Sequence, residues 1–275
     1  MKTALRLIPL GLAAALALTG CASSSSPAAS TATTDGSSAA STAASEGVSL
    51  VDAGKLTVCT NPPYEPFEYN DASGNVVGLD IDIVTEVAKD LGVTLVTKVT
   101  PFEGIQSGAD LDTGNCDVVA SGITITADRK AKIDFSDPYF DADQGLLVPE
   151  GSDLKDLASL KSKNVGVQQA TTGETWAKDN GLDAVTFEDL GLQIQALKTG
   201  QVDAVINDVA VLGPFVSQGF KVAANFSTGE QYGLGVKTGN TALVAAVNAT
   251  LARIHADGTY DAIYTARIGT APTGS

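Results

Sequence analysis

Ala120-Ser121-Gly122-Ile123-Thr124-Ile125-Thr126-Ala127-Asp128-Arg129 changes character twice within ten residues. Leading into it, Asp117-Val118-Val119-Ala120 is a short apolar run behind one acid, bounded by turn residues, and predicts a buried strand. The strand pattern stops at Ser121-Gly122. Thr124 then offers a hydroxyl, Thr126 is placed to cap a helix, and Arg129 falls in that helix's first turn. A strand end, free backbone amides, a hydroxyl and a guanidinium together make a receptor for a carboxylate. The amides and the helix N-terminus favour an anion, and arginine alone offers a planar fork that matches two carboxylate oxygens. Taken alone, the same residues also describe a loop threonine and a solvated arginine. The rest of the chain decides.

The decision begins with an internal echo. Leu111-Asp112-Thr113-Gly114-Asn115-Cys116-Asp117-Val118-Val119 is answered by Leu197-Lys198-Thr199-Gly200-Gln201-Val202-Asp203-Ala204-Val205. Both read as the last turn of a helix, a glycine stop and a buried strand. Upstream of each lies a further strand start, Lys55–Thr60 and Lys163–Gln168. Helical stretches run between them, as in Asp80–Leu91, with Ile81, Val84, Ala88 and Leu91 on one face and Gly92 ending it. Alternating strands and helices predict parallel sheets, and two such units predict two α/β lobes. Ligands of such sheets gather beyond the carboxyl ends of the strands.

That rule names candidates. The four strand ends are Thr60-Asn61, Ser121-Gly122, Gln168-Gln169 and Asn207-Asp208, and facing lobes would bring all four to one cleft. After the third end, Ala170-Thr171-Thr172-Gly173-Glu174 opens a helix and supplies more free amides. Asp208 reads either as a helix cap or as the partner of a cation. Tyr64 and Phe67 follow the first end on a proline-rich loop, and Phe102 follows Pro101; local packing is the plainer use of such aromatics. An arginine fork, an acid opposite and aromatic walls suit an α-amino acid, whose carboxylate and ammonium each need a desolvated partner.

The 275 residues are 44% apolar, enough for more than one compact unit. Residues 1–20 read as an export signal: Lys2 and Arg6 give the charged end and Leu7 to Leu18 the apolar stretch, too short to span a bilayer comfortably. Leu18-Thr19-Gly20-Cys21 resembles the lipobox of bacterial lipoproteins, which implies cleavage before Cys21 and lipid on its sulfur. Residues 21–47 add a tether of Ser, Ala, Thr and Gly with no apolar period, with a reach of about 25–30 Å as a random coil. The expected location is therefore the outer face of a cell membrane. The formal charge is −15, and loss of residues 1–20 removes two bases and no acid, leaving about −17. Such an acidic chain argues against nucleic acid and against a polybasic membrane patch. With Cys21 taken, Cys59 and Cys116 remain to form one disulfide in an oxidising compartment, a pairing that sequence leaves open. Neither they nor the lone His255 compose a metal site, and no cofactor motif or P-loop is present in the sequence.

Taken in order, Tyr64-x-Pro66-Phe67-Glu68, Gly78-Leu79-Asp80-Ile81-Asp82, Gly122-Ile123-Thr124-Ile125-Thr126-x-x-Arg129, Asp134-Phe135-Ser136-Asp137-Pro138-Tyr139, Thr171-Thr172-Gly173-Glu174 and Asp257-Gly258-Thr259-Tyr260 resemble the polar amino-acid-binding proteins of ABC importers. The resemblance covers about residues 50 to 268 and implies the two-lobed, periplasmic-binding-protein-like α/β fold. Each lobe would be a mostly parallel sheet flanked by helices, with the ligand cleft between lobes. It implies lobe 1 from 48–147 and 232–270, lobe 2 from 148–231, hinge crossings near Asp143–Val148 and Gln231–Val236, and a tail at 271–275.

The resemblance also implies roles. Arg129 would pair with the ligand's α-carboxylate, aided by Thr124 and Thr172, with Ser121 and Thr171 in the same turns. The Gly122 carbonyl would take the ammonium, with Asp208 its counter-ion. Tyr64 and Phe102 would enclose the side chain, and Asn61 and Gln168 would touch it. Two carboxamides suit a neutral polar ligand, glutamine first, with arginine through Glu65 and glutamate left open. The implied partners are an amino acid, a membrane permease and its separate ATPase; the expected state is a monomer and a non-enzyme. A sensory binder or a dehydratase on the same fold are the alternatives.

Overall fold

The computed structural model describes residues 47–269. The expected signal, lipidated Cys21, most of the tether and the tail at 271–275 lie outside them. Twelve strands are described, in chain order β1 (Lys55–Thr60), β2 (Tyr69–Asn70), β3 (Val76–Val77), β4 (Thr94–Val99), β5 (Val118–Val119), β6 (Ile133–Phe135), β7 (Phe140–Pro149), β8 (Val165–Gln168), β9 (Ala184–Phe187), β10 (Ala204–Asp208), β11 (Phe220–Tyr232) and β12 (Gly235–Lys237). The helices are α1 (Leu79–Leu91), α2 (Phe102–Gln106), α3 (Ala109–Asp112), α4 (Ala127–Lys130), α5 (Leu157–Leu160), α6 (Thr172–Asp179), α7 (Leu190–Thr199), α8 (Val209–Leu212), α9 (Thr241–Ala256) and α10 (Thr259–Arg267).

Two five-stranded sheets carry the lobes, in the orders β4-β1-β5-β12-β6 and β11-β7-β10-β8-β9. In the first, β12 runs antiparallel to both neighbours; in the second, β7 does. All other pairings within these two sheets are parallel, so four strands of each sheet share one direction. The opposing strand in each case is the one laid down immediately after the chain crosses from the other sheet. The crossings fall between Phe135 and Phe140 and between Tyr232 and Gly235. The expected lobe boundary between 147 and 148 therefore falls inside β7, whose entire length pairs within the second sheet.

Local chemistry explains the element ends. The glycines after α1 and α7, Gly92 and Gly200, stand in the left-handed region with φ of 69° and 72°, closing those helices as the sequence predicts. Between Phe102 and Gly114 the chain forms two short helical pieces, α2 and α3, parted where Gly108 adopts φ 78°. Cys59 on β1 and Cys116 before β5 are joined by a disulfide across neighbouring strands, with Cα atoms 5.7 Å apart. A continuous buried cluster runs from Leu56 and Val58 of the first sheet through Phe67 and Tyr232 to Leu147 and Val205 of the second. Phe67 meets both Phe140 and Tyr232 edge-on, with ring centroids 4.8 and 5.0 Å apart, so the crossing strands are packed against the loop after β1.

Candidate functional site

Carboxyl ends of strands from both sheets meet at a small cavity lined from both lobes. Asn61, Tyr64, Phe102, Ser121, Gly122, Thr124 and Arg129 line it from the first lobe. Gln168, Thr171, Thr172 and Asp208 line it from the second. These are the eleven ligand candidates of the sequence; Glu65, the candidate acid for a cationic side chain, is exposed and does not line the cavity. Its loop turns it outward while Tyr64 and Phe67 point into the core.

Arg129 owes its position to a short helix. Thr126 caps α4 and its hydroxyl accepts from the Arg129 amide at 3.2 Å, which fixes the first turn and sends the side chain inward. Arg129 is 5% exposed. One terminal nitrogen donates to the Thr124 carbonyl at 2.9 Å and the other to the Ala170 carbonyl, across the cleft, at 3.1 Å. The guanidinium carbon lies 5.3 Å from the centre of the Phe102 ring. No carboxylate lies within ion-pairing distance of it among the described residues. Burial lowers the affinity of Arg129 for its proton, against the field of Asp208 and Glu230. A desolvated guanidinium with donors to spare is an anion receptor.

Opposite it stands the N-terminus of α6. Thr171 caps the helix, accepting from the Glu174 amide at 3.2 Å and donating to the Gln168 carbonyl at 2.7 Å. Ala170 holds φ 64°, unusual for a residue with a Cβ, and its amide is tied to Glu174 at 2.6 Å. Thr172, the first helical residue, meets Thr124 of the other lobe at 3.4 Å, hydroxyl to hydroxyl.

Asp208 begins α8, yet its carboxylate makes no capping bond. It accepts instead from the hydroxyls of Tyr64 (2.8 Å) and Tyr232 and from the Gln144 amide. Burial raises its pKa above the ordinary carboxylate range, and those three donors, with Arg129, oppose the rise. Tyr64 also donates to Asn207 at 2.9 Å, so the first lobe reaches the second through one phenol. Gly122 makes this approach tolerable: a Cβ there would stand 2.7 Å from the Tyr64 ring.

The amide pair at the far end is oriented by its neighbours. Asn61 donates to the Thr100 carbonyl at 2.9 Å, which can only accept, so Asn61 Oδ1 is left to take the Gln168 amide at 3.3 Å. Gln168 Oε1 is then buried with no hydrogen-bond partner among the described residues. The cavity thus offers an acceptor at this end and the Arg129 donors at the other.

Behind the turn at Ser121-Gly122 lie two acids with no ion-pair partner among the described residues. Ser121 donates to Glu68 at 2.5 Å, and the Gly122 amide and the Tyr139 hydroxyl donate to Asp80 at 2.9 and 2.7 Å. Burial pushes Asp80 up to about 6, and burial together with Asp80 pushes Glu68 well above its usual range.

Three residues at the site were missed in the sequence: Gln144, Glu230 and Tyr232. All sit on the crossing strands β7 and β11. No short-range pattern marks them, because only the pairing of those strands brings them to the cleft.

Comparison with known proteins points one way. The profile of the bacterial extracellular solute-binding proteins, family 3, matches residues 56–270. A probable histidine-binding protein of Neisseria gonorrhoeae is 37% identical over 218 residues, 75% of this chain and 80% of that protein. The ABC transporter glutamine-binding protein GlnH of Bacillus subtilis is 35% identical over 71% of this chain and 74% of its own length. Among solved structures, an ancestral arginine-binding protein bound to arginine superposes with a TM-score of 0.74 at 42% identity, covering 78% of this chain and 99% of the other.

Proposed function

Because the chain belongs to family 3 of the bacterial extracellular solute-binding proteins, we propose that it captures a polar L-amino acid between its lobes and delivers it to an ABC permease. The observation that carries the reading is Arg129: buried, bonded only to carbonyls, and lining one cavity with Asp208. The ligand's carboxylate would take the free guanidinium donors with help from Thr124 and Thr172. Its ammonium would meet the Gly122 carbonyl and Asp208. Each pairing unites groups from the two lobes, so ligand favours the closed arrangement by differential contact.

Glutamine is the first candidate. Its side-chain amide presents a donor to Gln168 Oε1, and the cavity lining holds no further base for a side-chain carboxylate. Histidine, glutamine and arginine all appear among the names of the relatives, so the choice rests on the pocket. The protein is proposed as a binder and not an enzyme: the lone His255 packs against Tyr260, with ring centroids 4.1 Å apart, and does not line the cavity. Among the described residues no helix is long and apolar enough to cross a membrane. We place the folded part outside the membrane, held by lipid on Cys21 through the tether at 21–47.

Thermal shift against each L-amino acid tests the reading, with Arg129→Ala alongside. Ligand that binds only the folded state raises its stability by mass action. The expected result is a rise with one or a few polar amino acids, lost in the variant. No rise with any of them would end the amino-acid assignment.

A further inference from the structure

Glu230 does not line the cavity, yet the fold goes to some length to aim it there. Between Phe226 and Glu230 the strand β11 advances four residues while its partner β7 moves only from Gln144 to Ala142. The two extra residues form a bulge at Ser227–Gly229, with Gly229 at φ 66°. Asp143 clips it: its carboxylate accepts from the Thr228 amide at 2.8 Å, the Gly229 amide at 3.3 Å and the Ser227 hydroxyl at 3.3 Å. Bulges of this kind re-aim the side chain that follows. Here that side chain is Glu230, which accepts from Gln144 at 2.9 Å and from Thr172 at 3.2 Å.

The same Gln144 amide also holds Asp208, so two carboxylates share one donor group and both act through the field on Arg129. Glu230 opens onto a hollow that shares Arg129, Thr171 and Thr172 with the cavity. The charged groups grouped around Gln144 and Thr172 are thus one cation and two anions. These groups stand at the Arg129 end of the cavity, so against a zwitterionic backbone the excess negative charge acts on the ligand's side chain through the field along the cavity.

We infer that Glu230 is a specificity-determining residue that ranks ligands by side-chain charge, admitting cationic and neutral amino acids and disfavouring anionic ones. The inference rests on the amino-acid reading above and deepens it. Glu230 acts through the field and need not touch the ligand, so its removal has a signature that loss of packing lacks. A structural defect weakens every ligand by one common factor; loss of a fixed charge reorders them.

The test is calorimetric titration of L-arginine, L-glutamine and L-glutamate at pH 8, on the wild type, Glu230→Gln and Glu230→Ala. Burial, and next Asp208, raise the affinity of the Glu230 carboxyl for its proton, so the titration is set on the alkaline side. The expected result is an arginine-to-glutamate affinity ratio that falls by about 10- to 100-fold in Glu230→Gln, with glutamine shifting by an intermediate factor. Glu230→Ala should give the same order, which separates charge from the shape of the glutamine replacement. Equal change for all three ligands, or none, would overturn the inference. Wild-type protein that binds none of the three would instead bring down the amino-acid reading, and the ranking with it.

Discussion

Arg129 and Arg267 show two opposite uses of one side chain. Arg267, on the last described helix α10, meets Asp82 of α1 with two nitrogens at 2.6 and 2.9 Å and donates to the Tyr69 hydroxyl at 3.1 Å. Its bonds to Asp82 raise its pKa. Arg129 is more deeply buried, has only carbonyls for partners, and is pulled down by desolvation. A guanidinium saturated by its own chain's acid holds two helices together. One that is desolvated and left with spare donors awaits an anion from elsewhere, and folding alone gives little reason to keep it.

The sharpest way to break this contrast is to remove each arginine in turn. Arg129→Ala should weaken amino-acid binding by about 3–5 kcal/mol, a factor of roughly 150 to 5,000, as expected when one partner of a buried charge pair is lost. Arg267→Ala should leave the affinity within about twofold. The stability of the free protein should separate them the other way: Arg129→Met is expected to be neutral or stabilising by about 1 kcal/mol, since an unpaired buried charge gives way to an apolar side chain. Denaturant melts and titration calorimetry on the same samples decide. A loss of stability in Arg129→Met with affinity intact would make Arg129 a structural residue after all.

The contrast extends to acids two residues apart on α1. Asp82 has Arg267, whereas Asp80 has no cation and is pushed up to about 6 from an ordinary 3.8 by burial. With a folded-state pKa above the unfolded one, the native state holds the proton more tightly. Stability linked to Asp80 is therefore fully present below about pH 4 and lost as pH rises to about 6, at most about 3 kcal/mol. Asp80→Asn keeps an acceptor for the Gly122 amide and can donate to the Tyr139 oxygen. It should flatten that part of the pH–stability curve and raise stability at pH 7 by about 1–3 kcal/mol. Urea melts at pH 4, 5, 6 and 7 check the slope; parallel curves for the two proteins would show that Asp80 does not carry it.

How far each region could be read in advance follows the range of its contacts. Arg129 was legible because its placement is local: Thr126, three residues earlier, caps the helix that aims it. The strand ends were legible because short apolar runs bounded by turn residues mark the strands, and the topology of parallel sheets gathers their ends. Gln144, Glu230 and Tyr232 were not, since a bulge and a strand register set their direction, and neither leaves a mark within a few residues. Glu65 misled for a related reason: adjacency to Tyr64 in the chain says nothing about which way a loop turns. Asp208 opposite Arg129 followed from the strand ends; family resemblance implied the roles that spacing could not, such as the Gly122 carbonyl for the ligand's ammonium.

The smallest effect concerns the structural side of the contrast. Arg253 on α9 reaches Glu86 at 2.7 Å and Asp90 at 2.8 Å on α1, and Asp257 at 3.0 Å on its own helix end. Together with Arg267 it fastens the C-terminal helices to a helix more than 160 residues earlier in sequence. Both arginines are partly solvated, so each is worth about 0.5–1 kcal/mol and is screened by salt. Arg253→Ala and Arg267→Ala should each lower the melting midpoint slightly at low ionic strength, and the difference from wild type should shrink in 0.5 M NaCl. Arg129→Ala should show no such salt dependence in its free-state stability, because a buried group is screened little. Salt-insensitive losses at Arg253 and Arg267 would mean that their hydrocarbon stems, and not their charges, hold the helices in place.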